Sequence, residues 1–399
     1  METPQHHPII IVGAGPAGLA IATCLKELKL PVLILEEAER VASQWSKHYD
    51  RLHLHTHKNY SHLPGLKFPK NVPVFPSRKQ VLDYMENYAK IFKHEPRFKT
   101  KVLSAIRQGE IWHIKTNQGL LSTDHLIIAT GRNRIPKNKS LPVLKNFTGQ
   151  VIHSSEYKNG SSLKGKKVLV IGAGNTGAEL ALDLLEHKAK PFWCVRSPTH
   201  IVPLNSLGSP TQVSNIRMSY LPMNVTDPIS QFFLKFTVGD LSQYGIERPK
   251  EGPRRHMKEK GRTPILDIGT VEAVRKGQIK VVKGLKKTKD LEIEFLDGSK
   301  EEFDAIVLAT GYSPGLEKIL PENKIYFDSF GLPYEGIESK EDSDHLYFVG
   351  VREQGTGVLY EINKAAHRIA KKIRKESSQA SHLSETMVQT LNSNSRQNL

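Results

Sequence analysis

Hydrophobic and polar positions along the chain change period in a repeating order. The apolar run Ile9–Val12 has the length of a buried strand. Beyond a glycine-rich turn, Leu19, Ala22, Leu25 and Leu28 recur at helical spacing, and a second apolar run, "VLILEE", follows. The same strand, turn, helix and strand order returns in "GKKVLVIGAGNTGAELALDLLEHKAKPFWCV", with a strand over residues 168–171 and a helix over 176–187. Two further acid-led apolar runs, "DHLIIATG" and "DAIVLATGY", each end in Ala-Thr-Gly. Late in the chain "HLYFVGV" reads as a buried strand. The segment after it places Leu359, Ile362, Ala366, Ile369 and Ile373 near one face of an amphipathic helix. Alternation of strands with helices predicts an α/β fold, built as two Rossmann-like dinucleotide-binding domains.

The two turns carry the chemistry. Gly13, Gly15 and Gly18 have GxGxxG spacing, and so do Gly172, Gly174 and Gly177. In this motif the first glycine permits a tight turn and the second lets backbone approach a pyrophosphate. The third allows close helix–strand packing, and the helix N-terminus faces the phosphates. Glu36 closes the second strand of the first unit, near the roughly 20-residue offset of an acid that binds ribose hydroxyls. The corresponding strand of the second unit ends in Arg196-Ser197. A guanidinium beside a hydroxyl suits a ribose 2′-phosphate, which a carboxylate would repel, so the second site is expected to prefer NADPH to NADH. Asn175 and Thr176 open its helix, and Gly131, Gly311 and Gly350 end the later strands.

Composition narrows the class. With 399 residues, about two domains are expected. The hydrophobic share of 38% is that of a globular protein, and no apolar run approaches the roughly 20 residues of a membrane span. No signal peptide is read at the N-terminus. Cys24 and Cys194 are too far apart for a disulfide framework, a zinc site or a CxxC dithiol, so a cytoplasmic protein without a metal is expected. The net charge of +16 is dispersed and accompanies no nucleic-acid motif; it reads as a basic surface that draws in an anionic cofactor.

Between the two glycine turns lies "NFTGQVIHSSEY", in which Phe147, Gly149, His153 and Tyr157 fill the pattern FxGxxxHxxx[YF]. On this motif the chain resembles the class B flavin-dependent monooxygenases. "YDRLHLHTHKNYSHLPGLKFP", "HSSEYKNG" and "LATGYSP" make it most similar to the YUCCA-type enzymes and their bacterial relatives, over about residues 8 to 375. The resemblance implies FAD on the first turn and NADPH on the second. It also implies a C(4a)-(hydro)peroxyflavin that passes one oxygen atom of O2 to a small organic substrate, either a soft nitrogen or sulfur nucleophile or an aromatic 2-oxo acid. The rival is an oxidase or reductase of the same fold without oxygen insertion. The resemblance places Gln44 and Trp45 near the flavin and makes His55, Lys58 and Asn59 the catalytic candidates. Three departures from the family pattern stand out: "ASQW" lacks the glycine pair before Trp45, His55 stands where an asparagine is common, and "REQGTGVLYE" replaces the "RRGL" of the plant enzymes. The last points away from indole-3-pyruvate as substrate.

The expected domains are residues 1–158 with 303–375 for FAD, and 159–302 for NADPH. Residues 203–261 are expected to form an insertion and 376–399 a flexible polar tail. Within the insertion, "PISQFFLKF" is read first as buried packing, with a helical lid, a dimer face or a lipid-touching patch as the alternatives. The partners expected are a small-molecule substrate and O2, without nucleic acid or a transmembrane segment, and a homo-oligomer is left open.

Overall fold

A computed structural model describes residues 3–137, 141–206, 208–322, 327–333 and 344–397, with side chains as far as residue 378. Strand β1 (Ile9–Val12) is buried at every position, and α1 (Pro16–Glu27) follows the first glycine turn. Pro16 suits the first helical turn, where its missing N–H is not needed. Strand β2 (Leu33–Leu35) pairs in parallel with β1. Helix α2 (Arg78–Ile91) starts at a capping box in which Ser77 and Gln80 satisfy each other's backbone amides. An antiparallel meander of β3 (Val102–Gln108), β4 (Ile111–Thr116) and β5 (Gly119–Thr123) leads to β6 (His125–Ile128), parallel to β1 on its other side.

The chain crosses to the second unit at β7 (Ile135–Pro136). There β8 (Gln150–His153), β9 (Lys167–Ile171), α3 (Asn175–Glu186) and β10 (Lys190–Cys194) follow. Helices α4 (Thr211–Met218), α5 (Met223–Thr237) and α6 (Pro253–Lys260) make up the insertion. Strands β11 (Lys280–Val282) and β12 (Ala305–Leu308) complete an all-parallel sheet in the order β11-β10-β9-β12-β8. The return crossing is β13 (Tyr312–Ser313), antiparallel to β7. Strand β14 (Leu346–Phe348) then joins β6, giving the first sheet the order β14-β6-β1-β2, and α7 (Val358–Gln397) ends the described chain.

This topology corrects the expected boundaries at 158/159 and 302/303. Strands β8 and β12 belong to the second sheet, so the second unit extends outward to the β7–β13 ribbon. The physical reason is register: Leu308 faces His153 on one side and Ile171 on the other, which holds β12 between β8 and β9 of that sheet. The C-terminal segment also differs from the expected tail. Its backbone is helical to Gln397, because residues 358–397 contain neither Gly nor Pro to end α7.

Helix α1 lies between the first sheet and α7. Leu359, Ile362, Ala366, Ile369 and Ile373 of α7 share a core with Leu19, Ile21 and Leu25. Each Leu or Ile among them contributes roughly 1.5–3 kcal/mol by burial, so α7 is a structural part of the first unit. Among the described residues no helix is long and apolar enough to cross a membrane. The insertion contradicts one expectation outright: Phe232 and Phe236 of "PISQFFLKF" are exposed, at 60% and 74%.

Candidate active site at the junction of the two units

Corresponding glycines of the two turns have the same surroundings. A Cβ on Gly13 would lie 2.6 Å from the Ala129 carbonyl oxygen, and one on Gly172 would lie 2.2 Å from that of Ala309. Their φ angles of 109° and 140° disfavour a side chain as well. A Cβ on Gly18 would meet the Gly13 carbonyl oxygen at 1.9 Å, and one on Gly177 the Gly172 oxygen at 2.0 Å. Gly15 and Gly174, which precede the first turns of α1 and α3, have no protein atom within 4 Å of that position. Each turn is therefore closed around its first and third glycines and open at the second, where helix N-terminal amides face the gap. That is the cradle a pyrophosphate needs.

From the first turn a cavity of about 390 Å³ runs to the second unit. Gly13, Gly15, Glu36, Gln44, Trp45, Gly131 and Gly350 line it, and Asn175, Thr176 and Glu179 of α3 line its other wall. Glu36 is fixed by the Ala14 amide at 2.8 Å, the Ala38 amide at 3.0 Å and the Ser43 hydroxyl at 3.3 Å. The carboxylate thus stands at the rim of the turn, as a ribose-binding acid should. Asn175 accepts from the Leu266 amide at 2.7 Å, which holds the start of α3 against the strand after the insertion.

A second cavity of about 950 Å³ opens beneath the insertion. Met218, Met223, Phe233, Leu234 and Met257 supply apolar wall from α4, α5 and α6, and Phe348 supplies it from β14. The two cavities share His55, Thr56, Leu266, Gly350, Glu353 and Gly357. Helix α4 is held over the seam by Gln212, which donates to the Thr356 carbonyl and accepts from the His57 amide, both at 2.7 Å. Asn215 donates to the Gly355 carbonyl at 2.9 Å. The divergent "REQGTG" segment is therefore the wall common to both cavities.

The catalytic candidates separate. His55 lies at the seam. Lys58 and Asn59 line neither cavity: the Lys58 ammonium donates to the carbonyls of Pro69, Lys70 and Val72, and Asn59 is exposed. Lys58 ties down a loop, because an ammonium with three backbone acceptors is already satisfied. The junction motif also stays outside both cavities. The Phe147 ring covers Gly149, whose Cβ would lie 2.6 Å from it, which explains the glycine. His153 is buried, with Nδ1 2.9 Å from the Ser155 hydroxyl and its ring edge-on to Tyr312. The Tyr157 hydroxyl donates to Asp183 at 2.5 Å, and burial, then this carboxylate, raises its pKa. Arg196 and Ser197 stand at the end of β10, Arg196 exposed and Ser197 half-buried; neither lines a cavity, nor does Gly311.

Sequence reading missed Glu179. It is 1% exposed on α3, accepts from the Tyr49 hydroxyl at 2.5 Å and lies 3.5 Å from His55 Nε2 and 3.9 Å from Arg51. Burial, then Glu179, raises the Tyr49 pKa well above that of a free phenol. The neighbouring His48 ring also lines the first cavity, and burial, with Lys158 and Arg78 adding, lowers its pKa to about 4. The available signal was "GAELALDLL", where Glu179 and Asp183 fall one turn apart on an otherwise apolar helix.

Cys24 and Cys194 are buried in different cores, and desolvation pushes each thiol up to about 12. They form no dithiol. Among the described residues no cluster of three or more His, Cys, Asp or Glu is placed to hold a metal.

Two nucleotide cradles joined by a cavity, with a second chamber alongside and no dithiol, define a two-dinucleotide flavoprotein. A family model for pyridine nucleotide-disulphide oxidoreductases matches residues 10–201. The chain is 38% identical over 366 residues to the probable indole-3-pyruvate monooxygenase YUCCA4 of Arabidopsis thaliana, covering 90% of this chain and 89% of that one. It is also 38% identical over 354 residues to the indole-3-pyruvate monooxygenase YUCCA1 of Oryza sativa subsp. japonica, with 87% of each covered. In structure it is similar to a flavin-containing monooxygenase from Stenotrophomonas maltophilia, with a TM-score of 0.69 at 18% identity, 94% of this chain and 99% of that one covered. A cyclohexanone monooxygenase from Rhodococcus sp. Phi1 bound to NADP+ gives a TM-score of 0.69 at 16% identity, covering 94% and 85%. The chain belongs to the YUCCA-type flavin-dependent monooxygenases. It is an oxidoreductase that uses FAD and NADPH, and the oxidase alternative is not favoured.

Proposed function

We propose that this monooxygenase acts on an aromatic 2-oxo acid, a class that includes the indole-3-pyruvate named for its relatives. The observation that carries the reading is the composition of the second cavity. Its walls are thioether and aromatic, and the exposed guanidinium of Arg217 stands on its lining. A flat apolar body with one carboxylate fits such a chamber, and a guanidinium is suited to bidentate carboxylate recognition. The changed "REQGTG" wall leaves the choice of aromatic group to this chain's own residues.

FAD, when bound, would supply hydride acceptance from NADPH and the activation of O2; the protein's residues arrange and protect that chemistry. The open sides of Gly15 and Gly174 receive the two pyrophosphates, Glu36 holds a ribose, and Arg196 with Ser197 takes the 2′-phosphate at the end of β10. Helix α4, pinned to the Gly355–Thr356 backbone, closes the substrate chamber against water. His55, held between the two cavities near Glu179, is the group placed to donate a hydrogen bond at the point of oxygen transfer. Two buried free thiols, with no disulfide, support a cytoplasmic setting.

The test is a screen of aromatic 2-oxo acids, sulfides and amines that reads NADPH consumed against H2O2 released. A 2-oxo acid should couple consumption to product, and Arg217→Gln should raise its KM about tenfold, in line with a lost charge-assisted contact of roughly 1.5 kcal/mol. Coupled turnover of sulfides or amines with release of peroxide on every 2-oxo acid rejects the reading.

A further inference from the structure

The outer face of α5 is the opposite of what a water-exposed helix presents. Val225, Ile229, Phe232 and Phe236 follow at i, i+4, i+7 and i+11 on one stripe, all exposed, while Thr226, Asp227 and Leu234 face inward. The Phe232 and Phe236 rings lie 4.9 Å apart, tilted by 58°, and the turn before α5 adds Tyr220, 78% exposed, and Leu221. A contiguous aromatic patch of this kind marks an interaction surface.

Its surroundings are cationic. Tyr220 touches Tyr360 at the start of α7, and the Lys364 ammonium lies 5.3 Å over the Tyr360 ring. From there α7 continues with exposed Arg368, Lys371, Arg374 and Lys375. Apolar side chains beside a row of cations match the two halves of a lipid interface, acyl chains and anionic headgroups. A second copy of the chain fits less well, because two molecules of charge +16 would have to meet beside their own basic helices. We propose that α5 and the exposed cations of α7 dock the enzyme peripherally on an anionic lipid bilayer. Ile229 and Phe233 of the same helix line the substrate chamber, so docking would place that chamber next to the membrane, where apolar aromatic compounds concentrate.

The experiment is co-sedimentation of the FAD-loaded full chain with vesicles of phosphatidylcholine alone or with 30% phosphatidylglycerol, where about 30% sets the surface charge. Binding is expected to the anionic vesicles and to weaken as salt rises. Phe232 and Phe236 line neither cavity. The double variant F232E/F236E should therefore keep flavin content, circular dichroism and turnover of a water-soluble substrate, and lose vesicle binding at least tenfold. K364Q/K371Q, at two exposed lysines outside both cavities, should reduce binding to anionic vesicles only. Three results overturn the proposal: no sedimentation with anionic vesicles at low salt, equal vesicle binding by wild type and F232E/F236E, or a concentration-dependent dimer that F232E/F236E abolishes. The last would assign the patch to a second copy.

Discussion

At the scale of single residues, the glycines of the turns differ in what they tolerate. Gly18 cannot carry even a methyl group, since its Cβ would overlap the Gly13 carbonyl, whereas a side chain on Gly15 would enter only the open cradle. Gly15→Val is therefore expected to fold, with the circular dichroism and compactness of wild type, and to purify without flavin colour. Gly18→Val is expected to fail to fold. A yellow, fully loaded Gly15→Val would show that the cradle is not where FAD binds. These residues were legible in the chain because their requirement is local: a positive φ or a close backbone approach can be met only by glycine at fixed spacing. The offset that singles out Glu36 is also local, set by the length of one strand–helix–strand unit. Glu179 was not legible, because its partners Tyr49 and His55 lie 130 and 124 positions away, and nothing local distinguishes a buried carboxylate from a solvated one.

At the scale of elements, α3 connects the two units. Its two buried carboxylates face different parts of the junction, Glu179 toward Tyr49 and His55, and Asp183 toward Tyr157 of the segment between the units. Tyr157 of the motif therefore braces α3, and none of the four motif residues lines either cavity. Tyr157→Phe leaves Asp183, 2% exposed, without its hydroxyl donor. The loss should be about 1–3 kcal/mol, read as a lower urea midpoint at unchanged m-value, with KM for NADPH within twofold of wild type. A tenfold rise in KM without a change in stability would mean direct contact with cofactor. The insertion shows the other limit of sequence reading. The apolar residues of "PISQFFLKF" suggest packing, but apolar composition does not say which way a side chain faces. Only the packing of Thr226, Asp227 and Leu234 against the domain settles that α5 turns its aromatic residues outward.

At the scale of the whole molecule, burial of imidazoles links stability to pH. His94, His125 and His200 are 8%, 6% and 1% exposed, and in each case desolvation is the largest cause of a pKa lowered from 6.5 to about 4. Nearby positive groups add to it: Lys26 beside His94, His345 beside His125, and His256 and Arg248 beside His200. The sign follows from where the protons bind. Above pH 6.5 these rings are neutral in both folded and unfolded chains, and the native state keeps its full stability. Between pH 6.5 and 4 the unfolded chain takes up protons that the native chain excludes, so stability falls as pH falls. Each ring contributes at most about 1.4 kcal/mol per pH unit, and the three together about 4 kcal/mol per unit at the steepest point. Urea unfolding of the FAD-loaded enzyme at pH 7.5, 6.5, 5.5 and 5.0 should show a plateau followed by a decline, set in pH range by histidine and beginning above the carboxylate range. Substituting His200 by Gln should flatten the decline by about a quarter, since a neutral amide has nothing to titrate while His94, His125 and the cavity-lining His48 remain. Stability that is flat down to pH 5 would mean that these rings are charged in the native state. The basic surface makes the same point from the other side: with a charge of +16 before any histidine titrates, each added proton meets a repulsive field in the compact chain and a weaker one in the expanded chain. Acid should therefore unfold this molecule at its histidines before its carboxylates are reached.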